Sequence, residues 1–405
     1  MSPIGSNVLA GASGQGGAAG YEISKGLRFN SSDSAALSRT VRTASNRRTW
    51  TWSGWVKRST SSASAKNVLF EAAGNGFMFG FDDGTADVLR IEDNFYTGGL
   101  AAKTTAVFRD FSAWYHIVLA IDTTQASSSD GIKVWVNNVL QTLTSVTYTQ
   151  NYETLINDAT TQYIGGNLTW SGRYFNGYIT DVYFIDGTTL EPSVFGEYDT
   201  NGIWQPKEVT ETAISAVKES EAPSGVTWNA SKTWSKKVSP LGQIYYATPA
   251  AAFDGDLSST YFSFQANQEM TLLTGESITA SSLRVMGNML SNVVIKVNGS
   301  AVTDDADGSS KWITLTGWSS PITSLTVEDT VQSSIKAIEI DNKILVDGGW
   351  GKNGFHLPFN DSTDIGKDTS VTEDPDPRGG FSAVLYTGNG STQSINALQF
   401  QPDFV

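Results

Sequence analysis

The sequence predicts an all-β protein of antiparallel sandwiches or barrels, and three observations carry that expectation. Aromatic residues make up 11% of the chain and glycines number 39, a composition of strands and turns rather than of helices. From Gly26 onward, short runs of alternating apolar residues such as LRFN, WYHIVLAID and IKVWVNNV are separated by turn residues. A second series of such runs follows between Val226 and Gly348, so little helix is expected anywhere.

Length and charge bound the rest. A chain of 405 residues has room for two or three domains, each with its own core. Asp and Glu total 41 against 27 Lys and Arg, for a net charge of −14, and no basic stretch is long enough to follow a phosphate backbone. Nucleic acid is therefore not an expected partner. Cysteine is absent, which removes disulfides and thiolate metal sites. The opening residues MSPIGSNVLAGASGQGGAAGYEIS lack the basic start and continuous apolar core of a signal peptide, and no run approaches the ~20 apolar residues of a membrane span.

Residues 1–24 form a Gly/Ala/Ser-rich arm with side chains too small for a core, expected to order only against a partner. Its GASGQGGAAG has the glycines of a phosphate-cradling loop, but no strand precedes it and no Lys-Ser/Thr helix start follows. In TWTWSGWVKR, Trp50, Trp52 and Trp55 cannot all share one face, and Gly54 sits where a bulge would shift the phase. The expectation is two core rings and one exposed ring. His116, between Tyr115 and Ile117, reads as a strand histidine that faces outward or is satisfied locally. In YITDVYFIDG, Tyr178, Asp181, Tyr183 and Ile185 oppose Ile179, Val182 and Phe184 as the two faces of a strand.

The order of LRFN, TWTWSGWVKR, WYHIVLAID, KVWVNN, YIGGN and FNGYITDVYFIDG resembles the laminin G/concanavalin A-like lectin modules of tailed-phage virion proteins, especially fibres of marine phages. The resemblance spans most of residues 26–205. It implies a concanavalin A-like jelly-roll sandwich over residues 25–207. The segment AFDGD with the following STYF resembles the discoidin-like sandwiches that accompany such modules, which implies a second β-sandwich over 208–349. In that family G-F-x-L-x-F follows almost directly on W-Q-P-K, whereas here GFHLPF begins at Gly354, long after Trp204 to Lys207. The second sandwich is thus expected as an insertion in a loop, with residues 350–378 returning to the first, because loop closure costs rise slowly with length. The segment from 379 to 405, with Val384, Tyr386, Ile395, Leu398, Phe400 and Phe404, is too apolar for a solvated tail; it is similar to segments that open a further β-module in those proteins. A longer native fibre is expected, against the rival that 380–405 pairs with an open sheet edge.

What the resemblance implies about function is a structural virion protein on the particle exterior, a tail-fibre subunit or alternatively a head fibre or capsid decoration. It would attach to other virion proteins by its N-terminal arm, assemble as a homotrimer and adhere to host-surface glycans. A free glycan-binding lectin or a depolymerase is the reading of another class. The residues themselves offer one candidate ligand site: Asn167, Trp170, Arg173 and Tyr174 on the Gly-rich loop GGNLTWSGRYF, where a large ring has less packing reason to exist and a sugar could stack on it.

Catalytic chemistry lacks its parts. The two histidines, His116 and His356, have neither zinc-protease spacing nor a Gly-x-Ser-x-Gly elbow near them. Glu339 and Asp341 begin a glycosidase-like pattern, but Lys343 and Ile344 occupy the positions of its second glutamate. No enzyme and no required cofactor are expected. The DDGTAD turn at 82–87 offers oxygen ligands to calcium, although an acidic turn is the commoner explanation; DDADGSS at 304–310 lacks the distal glutamate of a calcium loop.

Overall fold

The computed structural model describes residues 20–370, apart from position 43 and short stretches at 60–65, 74–75, 83–86, 94–98, 167–172, 240–243, 247–248, 258–260, 265–267, 290–292 and 330–332. The chain divides into two compact units, the first running to Val209 and resuming at Asn353, the second spanning Thr210–Lys352. The arm up to residue 19 and the segment from 371 onward lie outside the described residues.

In the first unit the strands are β1 (Leu27–Phe29), β2 (Leu37–Thr40), β3 (Thr49–Arg58), β4 (Lys66–Ala72), β5 (Phe77–Asp82), β6 (Val88–Asp93) and β7 (Leu100–Thr104). Then come β8 (Tyr115–Asp122), β9 (Ile132–Val136), β10 (Val139–Leu140), β11 (Leu143–Thr147), β12 (Thr161–Ile164) and β13 (Gly177–Asp186), followed by the hairpin of β14 (Gly196–Tyr198) and β15 (Trp204–Pro206). One sheet has the order β1-β13-β3-β8-β9-β10, and the return strand Phe355–Leu357 also pairs with β13. The other has the order β11-β7-β6-β5-β4-β12-β2. All the pairings are antiparallel, as the alternating runs predicted.

The inward positions of the two sheets form one core. Trp50 and Trp52 of β3 meet Phe77 and Phe79 of β5 edge-on, at centroid distances of 5.3 and 5.5 Å. Ile179, Val182 and Phe184 of β13 join them, as does Phe355 of the return strand. Arg39 fastens that return strand from inside: its Nε and Nη2 donate to Gln162 Oε1 at 3.0 and 2.9 Å, Nη2 also donates to the Asn353 carbonyl, and its guanidinium lies 4.4 Å from the Phe355 ring centre.

The tryptophan strand corrects two expectations. β3 pairs with β8 without a break from Thr49 to Val56, so no bulge occurs at Gly54. The irregularity sits on the neighbouring strand, between Thr180 and Tyr183 of β13, where Asp181 adopts a left-handed φ of 51°. Gly54 instead makes room for a ring, since a Cβ there would lie 2.8 Å from Trp52. Trp55 does face away from Trp50 and Trp52, but it is only 5% exposed. The side of this sheet remote from the core carries a second aromatic layer, in which His116 stacks between Trp55 and Trp204 of β15 at 4.9 and 5.9 Å. Of the two alternatives for His116, exposure fails and satisfaction holds: it is buried, with both ring nitrogens bonded to Ser53 and Trp204.

The second unit has a seven-stranded sheet centred on Ser334–Ile340, which pairs with Leu283–Asn288, Phe262–Phe264 and Lys343–Leu345, and a four-stranded sheet of Gln268–Leu272, Leu325–Asp329, Val294–Val297 and Ser300–Ala301. Its core includes Trp234, Phe253, Val285, Ile295, Ile313 and Val327. Ile340 pairs with Lys343 across the left-handed pair Asp341 and Asn342, the hairpin the sequence predicted. The polar run after Lys207 contains a helix, Glu211–Ser220, that the strand-directed reading missed. Thr210 caps it by accepting from the Ala213 N–H, and Ile214 is its buried anchor.

Candidate functional site

The loop proposed from the sequence is described only at its ends. Asn167 and Trp170 lie outside the described residues. Phe175 N–H donates to the Gly165 carbonyl at 2.8 Å, closing the loop's base, and the Val68 N–H reaches the Arg173 carbonyl at 3.4 Å. Tyr174 is half-buried, and its ring lies so near Gly166 that a Cβ there would come within 2.5 Å of it. The ring therefore packs on the loop's own glycine, while Arg173 keeps its side chain partly exposed.

A better-formed concavity lies on the face of the β6-β7-β11 sheet turned away from the core. Register places Gly80, Arg90 and Lys103 in one row and Met78, Glu92 and Ala101 in the next, so Arg90, Glu92, Ala101 and Lys103 project on the same side. With Ser145 and Thr147 of β11 they line a groove of about 280 Å³. Ser145 has a φ of 52° within a bulge that shifts the β11 register between Thr144 and Thr147. Such a bulge re-aims side chains at a sheet edge.

The charges of this groove form a connected set. Asp82 Oδ2 accepts from Arg90 Nη1 at 2.9 Å and from Lys103 Nζ at 3.0 Å, and Arg90 Nη2 donates to Glu92. Burial by itself would raise the Asp82 pKa, but the hydrogen bonds from Lys103 and Arg90 hold it below the usual value. Two carboxylates and two cations leave the set with no net charge. Donors and acceptors thus alternate within a few ångströms beside the Ser145 and Thr147 hydroxyls, a chemistry suited to ligand hydroxyl groups rather than to an anion. The sequence reading passed over this groove because its members are scattered over three strands and only the sheet register assembles them.

Asp93, at the end of β6, faces the opposite way. It accepts from Leu155 N–H at 2.8 Å and from the Tyr152 hydroxyl at 3.3 Å, and burial pushes its pKa up to about 7. The acidic turn at 82–87 is described at its two ends, and both carboxylates are engaged by cations: Asp82 as above, and Asp87 by Arg58 and Arg109, at 3.0 and 2.9 Å. In the 304–310 turn the acids serve the turn itself, with Asp307 accepting from Ser309 N–H and from Lys311. Among the described residues no group of three or more His, Asp or Glu side chains could hold a metal ion.

The two histidines anchor strands. Trp204 Nε1–H donates to His116 Nδ1 at 3.0 Å, and because indole can only donate, the imidazole must carry its proton on Nε2 and give it to Ser53 Oγ at 2.9 Å. Burial lowers the His116 pKa to about 3, so it stays neutral. His356 Nε2 lies 2.8 Å from Asp181 Oδ1, which also accepts from the Tyr21 hydroxyl at 2.7 Å, and His356 Nδ1 lies 2.8 Å from Thr369 Oγ1. This chain of bonds ties the root of the N-terminal arm to the return segment through β13. In the second unit Glu339 is clasped by Arg284, at 2.8 and 2.6 Å, and Asp341 by Ser281 and Ser282, so the apparent glycosidase carboxylates hold structure together.

Residues 29–194 match the family model described as the concanavalin A-like lectin/glucanases superfamily, of laminin G type. The first unit is a concanavalin A-like sandwich. The match covers β2 to β13 of the two sheets and the last residue of β1, but neither the return strand Phe355–Leu357 nor the second unit. No curated protein matches the chain. Among solved structures, a heptameric SAP-like pentraxin from Limulus polyphemus is similar at 13% identity, over 42% of this chain and 76% of that one, with a TM-score of 0.30. The CBM40 module of a Ruminococcus gnavus sialidase is similar at 12% identity, over 42% and 95%, with a TM-score of 0.29. Trypanosoma rangeli sialidase is similar at 17% identity with a TM-score of 0.27, and only 22% of that enzyme is covered. Likeness of this degree says nothing of ligand or activity. No described helix is long and apolar enough to cross a membrane.

Proposed function

We propose that the chain is a subunit of a tailed-phage virion appendage, a tail fibre, in which the concanavalin A-like unit binds glycans of the host surface and the N-terminal arm attaches to the particle. The observation that carries the binding part is the groove of Arg90, Glu92 and Lys103, charge-balanced by their partner Asp82, on a lectin-type sandwich. The order of strand segments from LRFN to YITDVYFIDG supports the virion part. The loop with Asn167, Trp170, Arg173 and Tyr174 supplies a second glycan contact, with Trp170 as its stacking ring. In this reading the chain binds and does not cleave.

The test has two arms. A glycan array probed with the full chain is expected to show binding that Trp170→Ala weakens at least tenfold, the scale of a lost stacking contact. Binding unchanged in that variant removes the loop from the site, and sugar release from any array glycan replaces the lectin by an enzyme. Immunogold electron microscopy is expected to place the chain on tail fibres. Label on the capsid would make it a head fibre, and absence from particles would contradict the virion assignment.

A further inference from the structure

The sandwich ends, on one side, in a strip without charge. The chain leaves the first sheet at its edge strand β10 and enters the second at its edge strand β11 after only Gln141 and Thr142. Neither strand has a second neighbour among the described residues. From Val134 to Tyr152 no residue is charged, although 17% of the whole chain is. Val139 and Leu140 are 58% and 57% exposed, and Val146 is exposed on the other sheet's edge strand. Exposed edge strands are ordinarily guarded by lysine, proline or inward charges. Here β11 is protected by its bulge at Ser145 and β10 by its length of two residues, and neither strand carries a charge or a proline.

We propose that this strip is the surface through which copies of the chain associate. The argument is one of charge. Each copy carries a net charge of −14, so contact through most surfaces would set carboxylates against carboxylates. The neutral strip is where two copies can approach without that repulsion, and burying Val139, Leu140 and Val146 supplies the attraction. A basic partner would be drawn to the acidic surfaces instead, and a glycan requires converging polar groups that a row of aliphatics lacks. The β11 bulge breaks the regular ladder of that edge, so the contact rests on the aliphatic side chains rather than on a long intermolecular sheet. The inference does not depend on glycan binding.

Sedimentation velocity on the full chain tests it. The expected mass is a multiple of 43.5 kDa, and it persists in 1 M salt because the contact contains no ion pair and screening relieves the repulsion elsewhere. Leu140→Glu combined with Val146→Glu is expected to return the mass to that of one chain, and Val139→Lys to do the same independently. Within one chain these side chains are exposed, so the substitutions should leave the fold intact, read as an unchanged circular dichroism spectrum. As a control, Tyr198→Glu, which alters an exposed ring on the β14–β15 hairpin, should leave the assembly intact. A single-chain mass for the unmodified protein overturns the proposal, and so does an assembly that survives both sets of strip variants.

Discussion

Two buried titratable side chains oppose one another in their effect on stability. His116 has its pKa depressed from 6.5 to about 3, so between those values the unfolded chain binds the extra proton and stability is lost as pH falls. Asp93 has its pKa raised from 3.8 to about 7, so over that interval the folded chain holds the extra proton and stability is lost as pH rises. Between about pH 4 and 6.5 the two slopes cancel. Asp93→Asn keeps an acceptor for the Leu155 N–H but removes the acid-side compensation. Urea denaturation of this variant is expected to show stability rising with pH by about 1.4 kcal/mol per unit up to pH 6.5, while the unmodified protein stays nearly flat. A flat profile in both would mean that neither pKa is shifted, and a profile flat only in the variant that His116 is protonated in the folded state. Neither effect could be read from the sequence. His116 sits in an ordinary apolar strand, and what decides its state is burial, while Trp204, 88 residues away, stacks on it and fixes its tautomer.

At the scale of the element, strand identity was legible and strand context was not. The alternation in YITDVYFIDG assigns Ile179, Val182 and Phe184 to one face, and all three are in the core. In TWTWSGWVKR the expected exposed ring is absent, because nothing local announces the layer of His116 and Trp204 that lies over Trp55. The helix Glu211–Ser220 was overlooked because a short amphipathic stretch among polar residues shows little periodicity. The return strand Phe355–Leu357 depends on Arg39, whose burial lowers its pKa only to about 10, leaving it charged at neutral pH. Arg39→Met would strand Gln162 Oε1 and remove the Asn353 clasp, at a cost of about 1–3 kcal/mol. Hydrogen exchange should then rise first at Phe355–Leu357 while the amides of β3 and β8 stay protected. Equal acceleration in all three strands would show that the return strand is not separately held.

For the whole molecule, the two units differ in what they disclose. The sequence of the first spells out its sandwich through strand patterns, yet its groove is invisible there, since Asp82, Arg90, Glu92 and Lys103 become neighbours only when β5, β6 and β7 pair. The candidate loop shows the converse: its residues are adjacent in sequence and catch the eye, while Tyr174 turns out to pack on Gly166. Binding and attachment are separate claims about this molecule, and binding is the central one. Ala101 lines the groove beside Glu92 without taking part in its ion pairs, so Ala101→Trp fills the space and leaves the charges in place. The most direct measurement is a glycan array run in parallel on the unmodified chain and on Ala101→Trp, with neutral and uronic-acid glycans side by side. The expected result is binding to neutral glycans that the tryptophan reduces at least tenfold. Binding that Ala101→Trp leaves untouched, a preference for acidic glycans, or no glycan bound by the unmodified chain would contradict it.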